Sequence, residues 1–269
     1  MNIKFFLAAL LSFSYFSCSV NKAKIDNSVK KYFDAHNVEG CFTMLRNTDG
    51  EITVYNMALD TQRFQPASTF NLITSLVGLQ TGRITSEDMV VRWDRVNRPQ
   101  KEWNRNLNMK DAFRVNSDPY FSEIVKRIGT DTLKAWIDSL SYGNRNVAGG
   151  TDSVWKNNTL LISPDEQLGL LKKLYFDQLP FRKSVMLAVR NAMVKEENTL
   201  YKLSYVTGSG TDPGNKRIGW VTGWIEENLH VYFFVTFIRS ANPSADMNRM
   251  QVDITRDILK EYGFFQGKK

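Results

Sequence analysis

Residues 231–238 read Val-Tyr-Phe-Phe-Val-Thr-Phe-Ile, apolar on both faces of an extended chain. Side chains of a strand alternate between two sides, so this strand must be covered on both. The chain therefore has to build a sheet with a layer packed against each face. Residues 203–207 and 217–226 read as further strands, and a short polar connection at Glu227-Asn228 joins the latter to 230–238. Near the start, residues 41–46 and 51–57 read as strands joined by the turn-forming set Asn47-Thr48-Asp49-Gly50. The layers come from helices. Residues 29–35 read as a short one. A closing helix is expected from Asn242-Pro243, with Met247, Met250, Ile254, Ile258 and Tyr262 as its buried stripe. Between the two groups of strands the pattern is helical: residues 68–80, 121–128, 132–140, 164–175 and 185–193. Ser163-Pro164-Asp165-Glu166 has the form of a capping box with proline in the first turn. The expected architecture is α/β (α+β): an antiparallel sheet flanked by the terminal helices, with a helical lobe inserted.

The chain has 269 residues, of which 42% are hydrophobic and 23% charged, enough for one large unit or two lobes around one core. The α/β lobe is expected at about 28–65 and 194–269 and the helical lobe at about 66–193. Net charge is +7 but diffuse, without a basic run interleaved with aromatics or a zinc-finger spacing. That favours an acidic envelope surface over nucleic acid. Lys4 precedes a short apolar stretch at 5–16 that ends in Ser17-Cys18. It is too short for an ordinary bilayer span and reads as a signal peptide over 1–17. Cys18 is then the lipidation site, followed by a polar tether over 18–27. An ordinary secretory signal cut nearby is the alternative. With Cys18 lipidated, Cys41 has no disulfide partner and reads as a small buried hydrophobe.

Chemistry is best placed at Pro66-Ala67-Ser68-Thr69-Phe70-Asn71. A serine at a helix start has its hydroxyl beside free backbone N–H groups and the positive end of the helix dipole. On this hexapeptide alone, Ser68 reads rather as an N-cap. Further features follow in order. Trp93-Asp94 and Trp103-Asn104-Arg105 come first, then Tyr142-Gly143-Asn144, Gly149-Gly150 and Trp155. Val206-Thr207-Gly208 lies on one strand, and Ile218-Gly219-Trp220 with Gly223-Trp224 on the next. Together these resemble class D β-lactamases, and through them the DD-peptidase and serine β-lactamase fold, over nearly the whole chain after the tether.

The resemblance implies a serine nucleophile at Ser68. It implies a substrate-binding edge at Val206, Thr207, Gly208 and Ser209, an oxyanion site between the backbone N–H groups of Ser68 and Ser209, and no cofactor. It also exposes departures. Asn71 stands where the family has its general-base lysine, and an amide cannot usefully accept a proton near neutral pH. Asn116, in Val115-Asn116-Ser117-Asp118-Pro119, stands where a second serine relays the proton, and Ser117 is one place off. Val206 stands where a lysine meets the substrate carboxylate. The family's carboxylate-binding arginine has no clear match; Asp212 stands near its place, with Lys216 and Arg217 beyond. Trp155 loses its usual partner and reads as packing. His36 and His230 are the only histidines and read as surface or packing residues. Two readings stand: a non-catalytic envelope protein that binds β-lactam or peptidoglycan-like molecules, and an active serine β-lactamase acting through a Ser68 acyl-enzyme. The sequence names no protein partner.

Overall fold

The computed structural model describes residues 23–148, 150 and 153–269. The lipidation reading at Cys18 lies outside them, as does Gly149. Among the described residues, one sheet runs β1 (Ala23–Ile25), β3 (Ile52–Tyr55), β2 (Glu39–Arg46), β7 (His230–Ser240), β6 (Arg217–Glu227), β5 (Tyr201–Thr211), β4 (Val194–Glu197) in spatial order. Strand β7 is its middle member, as the two-sided apolar run requires. Its residues part by parity. Phe233, Val235 and Phe237 enter the core on the helical side, and Phe234 and Ile238 enter the core beneath the terminal helices. Each such burial contributes about 1.5–3 kcal/mol.

The terminal helices are α1 (Lys30–Ala35) and α9 (Met247–Glu261). Met247, Ile254 and Ile258 of α9 are buried against the sheet, with Met250 and Tyr262 partly buried beside them. The helix starts later than Asn242-Pro243. Asn242 instead accepts from the Ser244 N–H at 3.0 Å, closing a local turn, and Asp246 supplies the cap by accepting from the Arg249 N–H at 3.2 Å. The chain leaves the sheet after β3 and returns at β4. Between them lie α2 (Met57–Asp60), α3 (Asn71–Gln80), α4 (Met109–Arg114), α5 (Asp118–Ile128), α6 (Thr130–Ser139), α7 (Pro164–Tyr175) and α8 (Lys183–Ala192). The capping box of α7 is formed: the Glu166 N–H donates to Ser163 Oγ at 3.2 Å, and the Ser163 N–H to Glu166 Oε2 at 2.9 Å.

Two expectations need correction. The sheet is mixed, because β1 pairs with β3 in parallel. That strand occupies residues read as tether: three extended residues found a free sheet edge to bond, which their polar neighbours did not reveal. One short strand and two short helices, β4, α2 and α4, went unread because four to six residues carry too little periodicity.

Beneath the sheet on the helical side, α2 ends in Asp60, which is 2% exposed and whose Oδ1 has no hydrogen-bond partner among the described residues. Burial, with Asp165 on the first turn of α7 adding repulsion, pushes its carboxyl up to about 7.

Candidate active site

Ser68 lies inside a 3-10 turn, Ala67–Phe70, that leads directly into α3. It is therefore not the N-cap of a helix. The turn is entered through Ala67 at φ +48°, a conformation that an L-residue adopts only when its surroundings enforce it. Several bonds do so. Thr69 Oγ1 donates to the Pro66 carbonyl at 2.7 Å and accepts from Gln167 Nε2 of α7 at 2.8 Å. Gln65 is held on both sides, its carbonyl accepting from Trp220 Nε1 at 3.0 Å and its amide donating to the Thr211 carbonyl.

Strand β5 runs against this turn, as the substrate-binding edge requires. A Cβ on Gly208 would come within 3.0 Å of the Pro66 carbonyl oxygen and of the Ser68 and Thr69 nitrogens. Glycine is what allows the strand to approach so closely. The structure thus brings Ser68 beside Gly208, with Thr207 and Ser209 flanking it on the same strand. The Ser68 hydroxyl takes no hydrogen bond among the described residues.

The polar neighbour of this turn is an amide pair. Asn71 is 3% exposed, and its Nδ2 donates to Asn116 Oδ1 at 3.3 Å. Asn116 reaches it from a bend at φ +47° between α4 and α5. The next residue, Ser117, is fully buried and caps α5, accepting from the Tyr120 N–H at 3.4 Å, so its hydroxyl faces its own helix. Asp118 pairs with Lys156. Behind Asn71 stands an aromatic wall. Phe70 stacks on Trp155 with centroids 6.0 Å apart and meets Tyr142 edge-on at 5.6 Å. Burial pushes the Tyr142 phenol well above its ordinary range. Trp155 does pack, but its buried Nε1–H has no partner among the described residues. Asn144 ties its loop to a neighbour, donating to the Thr159 carbonyl at 2.7 Å and accepting from the Leu161 N–H at 2.9 Å.

Val206 is 3% exposed within the helical-side core and presents no polar group. Asp212 organises the turn between β5 and β6, accepting from the Gly214 and Lys216 N–H groups at 2.9 Å. It is not part of the cleft. The structure instead brings the first turn of α9 to the end of β5, where Ser209 Oγ donates to Asn248 Oδ1 at 2.7 Å. Arg249 is the next residue, exposed and paired with Asp253 at 3.2 Å. No local pattern pointed to this contact, because 39 residues separate its partners. His230 pairs with Glu227 at the far end of β6, seven positions from the Gly208–Trp220 register, roughly 20 Å along the strand.

Sequence reasoning also missed Lys195 on β4. Its Nζ donates to the Phe113 carbonyl at 2.7 Å, and burial, with Arg114 adding repulsion, pushes its ammonium down to about 8. It holds the end of α4 three residues before Asn116.

Residues 27–260 match the family described as "Penicillin binding protein transpeptidase domain". The chain is 36% identical to "Probable beta-lactamase YbxI" of Bacillus subtilis (strain 168), covering 91% of this chain and 86% of that one. It is 32% identical to "Beta-lactamase OXA-19" of Pseudomonas aeruginosa, covering 85% of each. Among solved structures, the "C-terminal domain of the Bacillus licheniformis BlaR penicillin-receptor" superposes with a TM-score of 0.84 at 29% identity, over 90% of this chain and 97% of that one. The family match, the identities and the superposition agree: the chain belongs to the class D β-lactamase family, within the penicillin-binding transpeptidase superfamily.

Proposed function

We propose that this chain recognises β-lactams or peptidoglycan-derived molecules in the cleft beside Ser68 without efficient turnover. The amide pair of Asn71 and Asn116 carries the reading. Asn71, which directly follows the nucleophile's turn, donates to Asn116, and neither amide accepts a proton near neutral pH. Losing a general base of this kind removes roughly 10²–10⁴ in rate. The bound molecule's carboxylate meets the apolar Val206 on β5, and the fold offers Arg249, one residue beyond the Ser209–Asn248 contact, as the neighbouring cation. Similarity to a protein described as a penicillin receptor supports recognition as a function of this scaffold apart from turnover.

Isothermal titration with benzylpenicillin, together with intact mass to detect any acyl adduct and nitrocefin turnover, tests this. Saturable binding with negligible turnover is expected. Absence of binding sinks the recognition reading, and rapid turnover abolished by Ser68→Ala sinks the inactive one. The second reading, an active serine β-lactamase, is favoured by the relatives named β-lactamases. It requires a base, and the lysine with a lowered pKa, Lys195, is committed to the Phe113 carbonyl. The exported location rests on the N-terminal pattern: with Cys18 lipidated, the protein is anchored in the bacterial cell envelope. Cys18→Ala is then expected to move it from the membrane fraction to the soluble one. Unchanged fractionation overturns the anchor.

A further inference from the structure

A cavity of about 610 Å³ opens on the helical lobe, between the segment 90–107 and α5. None of Ser68, Asn71, Val206 or Gly208 lines it, while Ser117 and Asp118, which follow Asn116, form its edge. Its size falls in the range of small-molecule sites. Two half-buried indoles form part of its wall. Trp93 Nε1 donates to the Val96 carbonyl at 3.0 Å, and Trp103 Nε1 to the Val115 carbonyl at 2.9 Å. Both N–H groups are spent within the protein, so these side chains offer a ligand only their ring carbons.

The charges around them do not balance. Each carboxylate of the lining is already taken: Asp94 by Arg98 at 2.6 Å, Glu123 by Arg127 at 2.9 Å, and Asp118 by Lys156 from outside. Arg105 reaches only Asp111, at 3.6 Å, and that acid is already bonded by Arg114 at 2.9 Å. Arg92 and Lys126 have no carboxylate partner among the described residues. Unneutralised cations and aromatic surface without free N–H groups share one cavity.

We propose that this cavity is a second binding site, for a small aromatic anion: a carboxylate, sulfonate or phosphate carried on a flat ring. The acid group lies against Arg92 and Lys126, where charge-assisted hydrogen bonds are strong, and the ring lies against Trp93 and Trp103. A bare anion lacks the ring and a neutral aromatic lacks the charge, so each binds less well.

The test is a fluorescence titration of the full chain with 1-anilinonaphthalene-8-sulfonate at low salt. Saturation at one equivalent is expected. Arg92→Glu combined with Lys126→Glu changes two exposed side chains and should weaken the affinity roughly tenfold or more. Lys183→Glu combined with Lys260→Glu makes the same change in net charge elsewhere and should leave it unchanged, as should Ser68→Ala. The uncharged N-phenyl-1-naphthylamine should bind at least about tenfold more weakly, and inorganic phosphate should compete only poorly. Equal binding by the Arg92/Lys126 variant, or equal binding of the uncharged probe, overturns the proposal. Loss of binding in Ser68→Ala places the probe in the serine cleft and overturns it too.

Discussion

Asn71→Lys combined with Val206→Lys is expected to make Ser68 acylable by benzylpenicillin, where either substitution alone does little. The introduced groups act as a unit, and such groups are strongly non-additive. A lysine in place of Asn71 enters a site that is 3% exposed, where desolvation lowers an amine's pKa toward one that accepts a proton. Asp118 does not trap it as an ion pair, because Lys156 already holds that carboxylate. The lysine replacing Val206 leaves a core position at the strand edge and must carry its charge out along its apolar stem. The gain in acylation rate should be on the order of 10²–10⁴ over the unmodified chain. Adding Asn116→Ser should then assist departure of the leaving nitrogen. Intact mass over a time course measures acylation, and circular dichroism confirms that each variant is folded. A folded double variant that forms no adduct refutes the assignment of these two positions.

Asp60→Asn is expected to remove a large pH dependence of stability. In the unfolded chain this carboxyl titrates near its ordinary 3.8, whereas in the fold burial raises it to about 7. The native state therefore binds the extra proton between those values. Its stability is full below about 4 and falls as pH rises, levelling off above about 7. A displacement of this size corresponds to something on the order of 4 kcal/mol. Urea unfolding of both proteins should agree near pH 4 and diverge by pH 8, with Asp60→Asn the more stable there. Groups distant from Asp60 titrate alike in the two, so their difference isolates this carboxyl and its immediate neighbours. Parallel curves across that range refute the assignment.

The sequence disclosed what short-range physics controls. The two apolar faces of 231–238 called for cover on both sides, which β7 has, and Ser163 with Glu166 marked the start of α7 to the residue. The serine turn was legible through its resemblance, although its local form, a 3-10 turn through a left-handed Ala67, was not. The rest depends on pairs that meet only in the fold. Asn71 and Asn116 are 45 residues apart, and Asp118 and Lys156 are 38 apart. Nothing near any of these residues announces its partner. Asp212, which stands near the place of the family's arginine in the chain, accepts from the N–H groups of its own turn and lies 3.8 Å from Arg239.

Cys41 gives the fold a clock. It is the only cysteine among the described residues, fully buried on β2 between β3 and β7, and burial pushes its thiol up, away from the reactive thiolate. A water-soluble disulfide reagent reaches that sulfur only when the middle of the sheet comes apart. Where reaction with the reagent outpaces reclosing, the labelling rate of Cys41 equals the opening rate of the sheet's centre. Where reclosing is faster, the labelling rate reports the equilibrium between closed and open sheet. Varying the reagent concentration moves the measurement from one regime to the other, so a single native thiol records both the lifetime and the stability of the layer that carries Gly208.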